Sequence, residues 1–141
     1  MPVKVMIVDN VQARRQGLEG AFSRAGFEVC SAGDSLGCSL KLRSERPDLV
    51  VLEAKLPVVS GLQILQNLRK SRQERVPSVI LLVEEGDVGS LSEGESDLHE
   101  LYLTKPISPE TLVATARQML AEREWRPAPP AASPCPFRDI G

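Results

Sequence analysis

The feature that most constrains this chain is the run Leu49-Val50-Val51-Leu52, apolar at every residue and closed by Glu53. Strict alternation of apolar and polar residues marks a strand with one wet face. An unbroken β-branched run marks a strand buried on both faces, which needs a sheet covered by helices on both sides. Similar runs recur along the chain. Val3 to Val8 ends at Asp9, Phe27 to Ser31 gives a second strand, Val79 to Val83 follows Pro77, and Leu101 to Thr104 gives a fifth.

Helical periodicity fills the intervals. Asn10 is placed to cap a helix in which Leu18 and Phe22, with Ala21 and Ala25, share a face, and Gly26 ends it. Asp34 is placed to cap a helix carrying Leu36 and Leu40 at i, i+4, and Pro47 closes it because the residue before a proline disfavours the α region. A loop through Pro57 and Gly61 leads to a helix with Leu62, Leu65 and Leu68 on one stripe. Pro109 suits the first turn of a last helix, whose buried face is Leu112, Val113, Ala116, Met119 and Leu120. Five strands interleaved with helices predict an α/β fold, a doubly wound parallel sheet with right-handed crossovers. The functional crevice of such a sheet lies outside the carboxyl ends of its strands, here Asp9, Glu53, Val83 and Thr104-Lys105.

Composition narrows the function. A chain of 141 residues is comfortable for one domain, and with 4% aromatics its core must come from Val, Leu, Ile and Ala. A net charge of −2 gives no basic excess pointing to nucleic acid. No apolar run approaches the roughly 18 residues of a membrane span, and the N-terminus lacks a signal-peptide pattern, so the expectation is a cytoplasmic protein with no membrane or nucleic-acid partner. Cys30, Cys38 and Cys135 form an odd set without CxxC spacing; Cys30 and Cys38 read as small buried hydrophobes.

Two segments break the pattern. Residues 84–100 hold seven acids, three glycines and three serines, which predicts a short, frayed or displaced helix. From Arg126 the chain turns to Pro-Ala-Pro-Pro-Ala-Ala-Ser-Pro, which divides it into a domain over 1–124 and a Pro-rich flexible tail over 125–141. That tail reads as a disordered terminus or as a polyproline docking stretch. No second helical or basic domain follows, so an attached effector is not expected.

The ordered set Val8-Asp9, Pro47-Asp48-Leu49-Val50-Val51-Leu52-Glu53, Leu56-Pro57 with Ser60-Gly61, and Tyr102-Leu103-Thr104-Lys105-Pro106 resembles the receiver domain of bacterial two-component response regulators over roughly residues 3–123. The resemblance implies a flavodoxin-like (βα)5 fold with strand order 2-1-3-4-5. It also implies a phosphoryl-accepting aspartate after the third strand, an acidic pair for a divalent cation, a Ser/Thr after the fourth strand and a lysine after the fifth. An aromatic on the fifth strand would report the phosphorylation state. This chain keeps Asp9, Lys105 and Tyr102, but has Asn10 at the second acid, Glu53 at the acceptor and Val83 at the hydroxyl position. Val83 takes that position because it lies 30 residues after Glu53 and 22 before Lys105, which fits the family register.

All three departures act on one reaction. Glu53 carries an extra methylene, and misplacement of a reacting group by about 1 Å can cost about 100-fold. Asn10 removes a formal charge from a hard-cation site. Val83 offers no hydroxyl donor. The expectation is therefore a pseudo-receiver, without catalysis or cofactor and with Mg²⁺ binding weak or absent. It would signal by protein–protein interaction through the face of the fourth helix, fifth strand and fifth helix. Lys105 is expected to pair with Glu53, which reads either as a standing imitation of a phosphorylated aspartate or as a relic. Asp9 is expected to pair with Lys105, a weak metal site with Glu53 being the alternative. Tyr102, with Leu103, Thr104 and His99, is assigned to the switch and output face, although Tyr102 also reads as a packed aromatic. The acidic 84–100 run points to a signalling partner with a basic surface, and the same face can mediate a homodimer. The alternatives are a receiver still phosphorylated or metal-regulated at a degenerate site, and the regulatory part of a larger effector protein.

Overall fold

The computed structural model describes residues 3–70, 76–86 and 99–125. Five strands, β1 (Lys4–Val8), β2 (Glu28–Ala32), β3 (Leu49–Glu53), β4 (Ser78–Val83) and β5 (Glu100–Thr104), form one parallel sheet in the order β2-β1-β3-β4-β5. Every residue of β3 and β4 is buried, as expected for central strands covered on both faces. Helices α1 (Gln12–Arg24), α2 (Ser35–Glu45), α3 (Gly61–Arg69) and α4 (Pro109–Trp125) supply the cover. Side chains alternate along each strand and build two cores. Val50, Leu52, Leu81 and Val83 pack with Cys38 of α2 and Ile64 and Leu65 of α3, while Leu49, Val51, Ile80 and Leu82 pack with Phe22 of α1 and Leu112, Ala116 and Met119 of α4. Each fully buried aliphatic side chain contributes about 1.5–3 kcal/mol.

Local signals act mostly where the sequence put them. The Asp34 carboxylate accepts from the Gly37 N–H at 2.7 Å and Ser60 caps α3 through the Gln63 N–H at 3.2 Å. Gly26 follows α1 at φ 98°, and Arg46, in the left-handed region, separates α2 from Pro47. The five expected residues of α4 are buried. Two expectations fail. Asn10 does not cap α1: the N-cap is Val11, and Asn10 is exposed, because the Asp9 carboxylate takes the Val11 N–H at 2.8 Å and helix starts one residue later. Leu36 and Leu40 do not form the inner face of α2 but stand 68% and 61% exposed, because Cys38 and Leu42 turn inward instead.

The loop from Glu53 to α3 sets the wall of the functional end. Gly61 brings its N–H to the Ala54 carbonyl at 2.9 Å, and a Cβ at this position would stand 2.1 Å from the Glu53 carbonyl oxygen. Only glycine permits that approach. The Lys105–Pro106 peptide is cis. The expectation of a frayed helix over 84–100 falls on residues of which 87–98 lie outside those described, and so does the expected tail over 125–141 apart from Trp125, which ends α4. Among the described residues no helix is long and apolar enough to cross a membrane.

Candidate functional site

The registers Val8↔Leu52, Glu53↔Leu82 and Val83↔Thr104 bring the strand ends level, so Asp9, Glu53 and Lys105 share one rim. Glu53 is 1% exposed and Asp9 2%. Burying two carboxylates is tolerable only with charge and hydrogen-bond partners, and the structure supplies both from within the chain. The Lys105 ammonium donates to both Glu53 oxygens at 2.8 Å and lies 3.0 Å from Glu84 Oε1. Burial alone would lower the Lys105 pKa, but the hydrogen bonds to Glu53 and Glu84 outweigh it and hold the group above the ordinary lysine value. The same hydrogen bond from Lys105 holds Glu84 below the usual carboxylate range. The Lys55 N–H donates to Glu53 at 3.2 Å.

Asp9 pairs with Arg14, not with the expected Lys105. Arg14 Nε and a terminal nitrogen donate to the two Asp9 oxygens at 3.0 and 3.1 Å, a bidentate fork, and the second nitrogen stands 3.8 Å from Glu53. That hydrogen bond to Asp9 pushes the Arg14 guanidinium further up. Arg15 adds a bond to the Asp9 carbonyl at 2.8 Å. Sequence reasoning missed Arg14, yet a signal was present. Basic residues in the first turn of a helix oppose its dipole, so the pair Arg14-Arg15 needs carboxylates nearby. Of the other expected residues, Asn10 is exposed and outside this network, and Val83 is buried in the core on the α3 side, its carbonyl accepting the Lys105 N–H at 2.8 Å.

The residues assigned to output divide. Tyr102 packs partly against the core beneath α3, while Leu103 turns to the opposite core beside α4 and so does not share a surface with it. Thr104 is exposed, and His99 is half-buried with its Nδ1 3.0 Å from the Ser78 hydroxyl. The Tyr102 hydroxyl is tethered: it donates to Glu100 at 2.6 Å and accepts from Arg69, whose guanidinium also grips the Glu100 carboxylate. The cluster ties the end of α3 to β5. Burial, then the bond to Glu100, push the Tyr102 phenol up to about 12, while Arg69 acts the other way. Tyr102 is the one tyrosine of the chain, so ultraviolet difference absorbance reads it alone. Its ionisation is expected at about 12 rather than the ordinary 10.0, moving higher in Arg69→Met and lower in Glu100→Gln. The neutral hydroxyl therefore stabilises the fold fully below pH 10.0, and the contribution is lost as pH rises through about 12. A midpoint at the ordinary value, unmoved by either substitution, would show that the tether is absent in solution.

A family model of the response regulator receiver domain matches residues 5–117. A probable transcriptional regulatory protein, TcrX of Mycobacterium tuberculosis, is 34% identical over 122 residues, covering 84% of this chain and 50% of that protein. The response regulator MprA of Mycolicibacterium vanbaalenii is 32% identical over 123 residues, covering 85% and 51%. The chain thus spans about half the length of the curated relatives it matches. Among solved structures, the chemotaxis response regulator CheY4 of Vibrio cholerae superposes with a TM-score of 0.73 at 27% identity, over 84% of this chain and 99% of that one. A response regulator signal receiver domain from Bermanella marisrubri gives 0.74 at 20% identity, over 85% and 99%, and supports the fold alone.

Proposed function

The chain belongs to the response regulator receiver domain family, and from that premise we propose that it is a pseudo-receiver, a cytoplasmic module of two-component signalling that acts by phosphorylation-independent protein–protein interaction. One observation carries the reading: the groups that would serve a phosphoryl group are spent on each other. An ammonium has three donors, and those of Lys105 face Glu53, twice, and Glu84. An incoming phosphoryl oxygen would have to displace a carboxylate. Weak or absent Mg²⁺ binding is supported by the engagement of both carboxylates with cationic side chains. Both Asp9 oxygens accept from Arg14, both Glu53 oxygens accept from Lys105, and Asn10 stands outside. The guanidinium of Arg14 lies against both carboxylates and supplies the positive charge there.

The output in this reading is the face that includes Tyr102 and Thr104, with a basic-surfaced signalling protein or a second copy of the chain as partner. The decisive experiment is incubation with acetyl phosphate and Mg²⁺ followed by intact mass. The expected result is an unchanged mass. A stable species heavier by about 80 Da, one phosphoryl group, that disappears in Glu53→Gln would overturn the proposal. A second reading has its own support: the similar TcrX is named a probable transcriptional regulatory protein and is about twice the length matched here. In that reading this domain regulates a DNA-binding effector, which would set aside the expectation of no nucleic acid. DNA binding by the full-length protein that shifts with the Glu53–Lys105 pair broken would favour it.

A further inference from the structure

The recess that holds the ion pairs is also lined by apolar side chains. A cavity of about 510 Å³ opens at the carboxyl end of the sheet, between α1 and α4. It is lined by the charged network together with Leu18, Leu82, Ile107 and Leu112. Small-molecule sites typically span about 300–1,000 Å³, with mostly apolar walls and a few fixed polar groups. A phosphoryl group would fill only a small part of this space and would use none of its apolar wall.

Two further observations define a ligand. Gly17 lines the cleft in the middle of α1, and a Cβ added there meets nothing within 4 Å. Glycine weakens a helix interior relative to alanine, so α1 carries an unfavourable residue on the lining of the cleft, at an exposed position from which a long side chain could reach into it. The charges of the lining select the head group. Three carboxylates, Asp9, Glu53 and Glu84, face two cations, Arg14 and Lys105, both already engaged. These lining groups leave one negative charge in excess, which favours a cationic head over an anionic one. Such a cation can reach Glu84, which is 46% exposed and meets Lys105 through Oε1.

We propose that this cleft binds a small molecule with an apolar body and a protonated amine head, held between Leu18 and Leu112 with its amine on Glu84. The inference rests on the reading of the pocket as one that receives no phosphoryl group. The test is a ¹H–¹⁵N titration of the full chain with n-hexylamine, hexanoate and hexanol in parallel. Hexylamine is expected to shift the Gly17, Leu18, Ile107 and Leu112 amides saturably, at least tenfold more tightly than hexanoate. Gly17→Leu should hold or raise the thermal midpoint and weaken hexylamine tenfold or more; Glu84→Gln should weaken hexylamine severalfold and leave hexanol unchanged. Absence of saturable shifts, hexanoate binding as tightly as hexylamine, or full binding by Gly17→Leu would each overturn the proposal. The two readings fail separately. A chain that takes a phosphoryl group overturns the pseudo-receiver whatever hexylamine does, and one that takes neither overturns only the ligand.

Discussion

Lys105→Met is expected to lower the stability of the fold by about 3 kcal/mol at neutral pH, the cost of stripping one partner from a buried ion pair. Methionine keeps much of the lysine stem, so packing changes little and the loss isolates the charge. Glu53 would remain 1% exposed, with the Lys55 N–H at 3.2 Å and Arg14 at 3.8 Å in place of two 2.8 Å bonds. Neither replaces an ammonium in direct contact. Lys105→Met combined with Glu53→Gln should recover most of the loss, because the stranded charge is gone. Urea unfolding of the wild type, both single variants and the double variant gives the coupling directly. Additive losses, or a cost below about 1 kcal/mol for Lys105→Met, would mean that Glu53 is not held by Lys105 in solution.

Gly61→Ala is expected to be as damaging for a different reason. The added methyl would sit 2.1 Å from the Glu53 carbonyl oxygen and 2.8 Å from Ala54 Cα. Both obstacles are backbone, so no rotamer change relieves the clash, and either the start of α3 lifts or the end of β3 bends. Overpacking of this kind costs about 1–3 kcal/mol where side chains can yield, and the upper end applies when they cannot. A fall in thermal midpoint of about 10 °C follows for a domain of this size. An unchanged midpoint would contradict the contact between α3 and β3 described above.

The sheet was legible in the sequence because its signal is redundant. Each central strand is an unbroken apolar run, and burial on both faces leaves no register to choose. The inner face of α4 was legible for a related reason, since Leu112, Val113, Ala116, Met119 and Leu120 form one stripe without a competitor. Helix α2 carries two competing stripes, Leu36 with Leu40 and Cys38 with Leu42, both at i, i+4. Periodicity cannot rank them. The smaller Cys38 is fully buried instead, a choice made by packing against the sheet. The site divides in the same way. Glu53 with Lys105 follows from strand ends meeting, whereas Arg14 reaches Asp9 from one turn into a helix, and Arg69 meets Glu100 and Tyr102 from 31 and 33 residues away. Long flexible cations find partners in three dimensions that spacing along the chain does not encode.

A dissociable ion that binds only the folded state stabilises it by an amount that tracks its free concentration, so it can be diluted, chelated or exchanged. A guanidinium attached to α1 is present at an effective concentration fixed by the chain itself. In the proposed pseudo-receiver, where Arg14 holds Asp9 in a fork and stands beside Glu53, the positive charge of the pocket is a constant of the fold rather than a variable of the surrounding solution.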